Sequence, residues 1–103
     1  MSYTISFYVP KAHCEAVKQA MFKAGAGIQG NYQECAWQVL GKGQFKPLKG
    51  SQPFIGKNNQ LEHVEEYKVE MYCKDKALKL AVKAMLDQHP YEEPAYSVVK
   101  HDN

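Results

Sequence analysis

Twice in this 103-residue chain a run of alternating polar and apolar residues passes straight into a run with helical spacing. In the first, Tyr3, Ile5, Phe7 and Val9 alternate with Thr4, Ser6 and Tyr8, the period of a strand with one buried face. Pro10 stops that strand. Residues 11–24 then bring Ala16, Val17, Ala20, Met21 and Ala24 to one side of a helix, with Lys11, Glu15, Lys18 and Lys23 on the other. In the second, residues 61–73 read as a long strand with Tyr67, Val69, Met71 and Cys73 on one face and Lys68, Glu70 and Tyr72 on the other. A helix opening at Lys74 or Asp75 follows, with Ala77, Leu78, Ala81, Ala84 and Met85 inward. Each pair must bury a helix stripe against a sheet face, so each is half of a two-layer domain.

The remaining segments complete the order. Gly25 is placed to end the first helix, and Cys35, Trp37 and Val39 alternate into a second strand that runs toward Phe45. Residues 95–100 supply a fourth strand after Pro94. The order β-α-β-β-α-β predicts an α+β fold of the ferredoxin-like type, one antiparallel sheet with both helices on one face. A single domain over residues 1–103 is expected, with residues 46–60, rich in Gly, Pro and Asn, as an extended loop. Loops of that length in so small a domain tend to be functional. Nothing in the chain covers the second sheet face, where alternation puts Tyr8, Tyr72, Leu40 and Val99; such a face either stays wet or meets a partner.

Composition narrows the function classes. A formal charge of +2, with lysines spread along the chain and no arginine, argues against nucleic acid and against a bidentate phosphate clamp. The alternating N-terminus is not a signal peptide, and no stretch has transmembrane length. Cys14, Cys35 and Cys73 are odd in number and form no CxxC pair, so reduced, buried thiols in a cytoplasmic protein are expected.

The segment richest in chemistry is Gln88-His89-Pro90-Tyr91-Glu92-Glu93-Pro94-Ala95-Tyr96. Pro90 ends the second helix and Pro94 keeps Glu93 extended, so an imidazole, a phenol and two carboxylates sit on a stiff elbow. His89 is either a helix-end cation or a ligand-site group. Glu62, Glu66 and Glu70 line one face of the third strand, and such a row needs solvent, lysines or a cation; the plain alternative is an edge strand kept soluble by charge. Hard cations take carboxylate oxygens and a transition metal would add His89. The loop Gly25-Ala26-Gly27-Ile28-Gln29-Gly30 could offer amides to an anion, but it follows a helix and lacks the spacing of a phosphate loop.

Three segments together resemble one family: Gly25-x-Gly27-x-x-Gly30-x-Tyr32-x-x-Cys35; Gly41-x-Gly43-x-Phe45-x-Pro47 running to Pro53-Phe54-Ile55-Gly56 and Glu62-x-x-Glu65-Glu66; and His89-Pro90-Tyr91-Glu92-Glu93-Pro94-Ala95-Tyr96. They are similar to the middle, inserted domain of the NGG-interacting-factor-three-like proteins, also called the dinuclear metal-centre family, over nearly the whole chain. The resemblance implies a stand-alone version of that domain, with the shape of the CutA and PII trimeric signalling proteins, whose subunits pack sheet to sheet. It also implies that the family's two-metal site belongs to flanking domains with ligands this chain does not contain.

The expected function is therefore a non-enzymatic module that binds or senses a small ligand or metal ion. A protein-interaction or oligomerisation domain is the first alternative, and a metal-dependent hydrolase, after the GTP cyclohydrolase-type activity attributed to full-length relatives, is the second. A homo-oligomer is expected, trimer before dimer, without nucleic acid or membrane. The site is expected where His89, Tyr91, Glu92 and Glu93 meet Tyr32, Cys35 and the loop of Gly25, Gly27 and Gly30, near Glu62 and Glu66. A divalent cation, if bound, would sit on His89, Glu92 and Glu93.

Overall fold

The computed structural model describes residues 1–101. Its elements are β1 (Ser2–Pro10), a short 3-10 turn (Lys11–His13), α1 (Cys14–Lys23), β2 (Trp37–Phe45), β3 (Glu62–Lys74), α2 (Asp75–Gln88) and β4 (Tyr96–His101). The strands form one antiparallel sheet in the order β2-β3-β1-β4, the ferredoxin-like arrangement. The first helix is entered through the tighter Lys11–His13 turn, and His13 stands at its N-cap without a side-chain capping bond.

Alternation makes the core. Ile5, Phe7 and Val9 of β1 pair with Met71, Val69 and Tyr67 of β3, so these side chains share one face. Val17 and Met21 of α1 and Ala81 and Met85 of α2 close over them, completing a single buried apolar cluster with Cys14, Ala26 and Cys73. Burial pushes the Cys14 and Cys73 thiols above their ordinary range, which makes both poor nucleophiles.

Chain direction sorts the connections between two ends of the sheet. The loop after α1 lies at the end where β1 starts: the Gly27 amide donates to the Tyr72 carbonyl at 2.8 Å, and the Cys35 amide to Gly27 at 2.8 Å. Gly25 turns the chain out of α1 at φ +108°. At the opposite end α2 stops where Pro90 removes the next amide, and His89 is already extended at φ −70°, ψ 137°. There β3 outruns its neighbour: its pairing with β1 ends at Glu66–Pro10, while its pairing with β2 continues to Glu62–Phe45. The resulting hairpin arm gives the molecule its long axis, 46 Å against 24 and 23 Å.

Three expectations are corrected. Leu40 does not lie on the uncovered face; it pairs with Tyr67 and shares the helix side, while Trp37 and Val39 point to the open side. Cys35 is not in a strand, because β2 begins at Trp37. The glutamate-bearing strand is not an edge: β3 lies between β2 and β1. The open face carries Tyr8, Lys68, Glu70, Tyr72 and Val99, with Trp37 58% exposed at its margin.

Candidate functional site

The structure draws the proline-bracketed segment and residues 46–60 together at the end of the sheet where β3 outruns β1. His89 is the pin. It is only 7% exposed, its Nε2 lies 2.6 Å from the Tyr8 carbonyl, and its Nδ1 accepts the Tyr91 amide at 3.1 Å. Only the neutral ring protonated on Nε2 satisfies both contacts. Burial drives its pKa below the ordinary imidazole value; His13 pushes the same way, and the Tyr8 carbonyl and Glu66 oppose.

With the backbone fixed there, the Tyr91 hydroxyl reaches across and donates to Glu66 Oε2 at 2.6 Å. Burial, then the hydrogen bond and charge of Glu66, hold the Tyr91 phenol well above its ordinary range, so it stays a donor. Glu66 can take this position because β2 is bare there, with Gly41 opposite it and Gly43 on the diagonal. A Cβ on Gly43 would collide with Glu66 Oε1. Glycine here is a requirement of close approach.

The long loop forms the facing wall. Pro47 is buried and its carbonyl accepts the Asn59 amide, so the loop closes on itself at its base. The Gln52 amide donates to Glu92 Oε1 at 2.9 Å, and the Phe54 ring meets His13 edge-on at 5.2 Å. Between wall and elbow lies a cleft of about 330 Å³. Its sides are Phe45, Pro47, Pro53, Phe54, Ile55 and Tyr8, and its polar groups include Glu66, Tyr91, Glu92, Glu93, Gln44 and Ser51. That volume is at the small end of what binds organic molecules, and mostly apolar walls with a few convergent polar groups are the usual design.

Comparison with known proteins fits this description. No family model matches the chain. A GTP cyclohydrolase 1 type 2 homolog from Halalkalibacterium halodurans is 45% identical over 96 residues, covering 93% of this chain and 26% of that protein. The homologous protein of Bacillus subtilis is 44% identical over 91% of this chain and 25% of its own length. A crystal structure of a Bacillus cereus protein related to NIF3 superposes with a TM-score of 0.83 at 38% identity, covering 99% of this chain and 26% of that one. The chain is a NIF3-family domain. It spans about a quarter of the length of these relatives. The periplasmic divalent cation tolerance protein CutA of Archaeoglobus fulgidus has the same fold, with a TM-score of 0.70 at 12% identity over 100% of this chain and 86% of its own.

Of the residues expected at the site, this NIF3-family domain brings Glu66, Tyr91, Glu92 and Glu93 into one cleft, with His89 behind them. Glu62 lies farther out on the arm, against Gly56. The glycine loop is not there. Gly25, Gly27 and Gly30, with Tyr32 and Cys35, belong to the opposite end, since Tyr72 pairs with Thr4, four residues or about 13 Å along β1 from Tyr8. The metal assignment changes too. His89 already uses both ring nitrogens, so as folded it presents no lone pair to a cation, and no three His, Cys, Asp or Glu side chains among the described residues converge as a metal site. Sequence reasoning missed Tyr8, Gly43, Phe45 and Phe54. The length and turn content of residues 46–60, and the quoted segments that contain Gly43, Phe45 and Phe54, were the signals that could have led to them.

Proposed function

We propose that this NIF3-family domain is a non-enzymatic binding module whose cleft, between the His89–Pro94 elbow and residues 46–60, takes a small organic ligand. One observation carries the reading: the cleft is built in advance. Its wall is tied to its floor by the Gln52–Glu92 bond, and Glu66 is aimed by Tyr91 over a glycine that only this close approach requires. Preorganisation lowers the ordering cost of binding and has no use in a plain connector. Catalysis is not part of the proposal, because the polar groups of the cleft are carboxylates, a phenol held neutral, the Gln44 amide and the Ser51 hydroxyl, which donates to the Leu48 carbonyl rather than to a base. The GTP cyclohydrolase name belongs to relatives about four times longer. The test is amide chemical-shift mapping with a diverse fragment set. Shifts clustered on Gly43, Gln52 and Tyr91 support the reading, and fragments that cluster only elsewhere refute it.

A second reading concerns assembly. Trp37, Val39, Tyr8 and Val99 present apolar surface on the uncovered sheet face, which suits self-association through that face, the trimer that the CutA and PII resemblance implies. Light scattering at tens of micromolar protein is the check; a monomer mass refutes it.

A further inference from the structure

The cleft has a charge sign as well as a shape. Glu66, Glu92 and Glu93 all line it, and no lysine does. Their states differ. Glu66 accepts the Tyr91 hydroxyl and Glu92 accepts the Gln52 amide, while Glu93 pairs with no group among the described residues. Among the described residues no lysine forms an ion pair with any of the three; the ion pairs lie elsewhere, at Lys18–Glu15 and Lys83–Asp87. Around the acids stand aromatic rings, with Phe45 and Tyr91 tilted to one another at 6.3 Å. Ring faces and carboxylates attract the same kind of group, a positive charge on an apolar body.

We propose that the ligand of this cleft is an organic cation, an ammonium group carried on a small apolar or aromatic body. The ammonium meets Glu66 and Glu93, and the body lies against Phe45, Phe54 and Tyr8. The inference rests on the cleft being a ligand site, and it fixes the class of ligand. Anionic ligands are disfavoured by the same groups: a nucleotide would set its phosphates against three carboxylates with no lysine to receive them. An aromatic ring alone would use the walls and gain nothing from Glu66 or Glu93, so charge adds a preference that stacking does not supply.

Three isosteric probes separate charge from shape: benzylammonium, benzyl alcohol and benzoate, each titrated into the whole chain at neutral pH and followed by amide shifts. GTP is the fourth. Benzylammonium is expected to move Gly43, Gln52, Tyr91 and Glu93 with an affinity in the millimolar range, on the order expected for so small a ligand. Benzyl alcohol should bind about fivefold more weakly, and benzoate and GTP more weakly still. Glu66→Gln keeps an acceptor for Tyr91 and removes the charge; it and Glu93→Gln should each weaken benzylammonium by roughly threefold to fivefold. Lys23→Gln, in the last turn of α1 at the other end of the sheet, should change nothing. Benzyl alcohol, benzoate or GTP binding in the cleft as tightly as benzylammonium overturns the cation assignment and leaves the ligand site standing. Silence of the cleft amides to all four probes at about 10 mM, a concentration that saturates ordinary fragment sites, overturns both.

Discussion

The two ends of the sheet are both stiff, and they are stiffened by different means. At one end the loop after α1 is held by its own backbone: Gly25, Gly27 and Gly30 adopt positive φ, and amide-to-carbonyl bonds tie Gly27 to Tyr72 and Cys35 to Gly27. Of its side chains Ala26 enters the core and Glu34 accepts from Gln19, while Tyr32 is 75% exposed. At the other end the His89–Pro94 elbow is held by side chains, through an imidazole, a phenol and two carboxylates. A backbone-held loop depends on steric freedom alone. A side-chain-held elbow depends on protonation state as well, and its groups already point into a cleft. Rigidity therefore says little about function until one asks which atoms supply it.

The largest separation between the ends is expected from His89→Ala. It deletes a buried ring, leaves the Tyr8 carbonyl and Tyr91 amide without partners, and should cost about 2–4 kcal/mol in urea unfolding. The matched change at the other end, Tyr32→Ala, should cost less than about 0.5 kcal/mol. Equal losses would break the comparison. Next comes Gly27→Ala. Its Cβ would meet the Phe22 ring at 2.8 Å and the Cys35 carbonyl at 3.0 Å with φ at +79°, so a loss of roughly 1–3 kcal/mol is expected. Gly30→Ala, with open space around it, should lose less, and the ratio of the two calibrates how much of that end is packing and how much conformation.

Acid separates the ends by sign. The folded pKa of His89 is lowered, so between the ordinary imidazole value near 6.5 and the folded value the unfolded chain binds more protons. Its contribution to stability is complete above about pH 6.5, falls as pH drops through the folded value and is flat below. Comparing urea midpoints of wild type and His89→Gln across that window isolates the effect; parallel curves would mean His89 is not the titrating pin. A smaller change than at Gly27 should come from Gly43→Ala, under about 1 kcal/mol, because the atom it strikes, Glu66 Oε1, is at the far end of a flexible side chain. Its readout is geometric: displacement of Glu66 should shift the Tyr91 ring resonances while the core stays as it was.

Much of this was legible in the chain. Strict alternation in β1 and β3 revealed their buried faces, because Ile5, Phe7, Val69 and Met71 face polar neighbours on both sides in sequence. In β2 it failed for a physical reason. Trp37, Val39 and Leu40 put apolar bulk on both parities, so only the cross-strand register, Leu40 opposite Tyr67, decides which side faces the helices. The misplaced glycine loop was avoidable. A helix that runs back along β1 must end where β1 begins, and α2, entering after the antiparallel β3, must end where β1 finishes. The acid-bearing elbow could be found from its prolines, but not its partners. Gly43 stands out in the sequence only as part of a motif, and its physical reason is visible only when the Glu66 carboxylate is seen lying over it.

The third strand works as a ruled edge shared by two trades. Odd positions from Tyr67 to Cys73 furnish the interior, and even positions from Glu62 to Tyr72 furnish the other side, Glu66 among them. Adding or losing a single residue between Glu66 and Val69 would put the two on the same face, sending either the carboxylates under the helices or valine out to water. Evolution can lengthen the hairpin tip by any increment, but inside this strand it must count in twos, and the interior thereby holds the cleft's acids to their side across sequence drift.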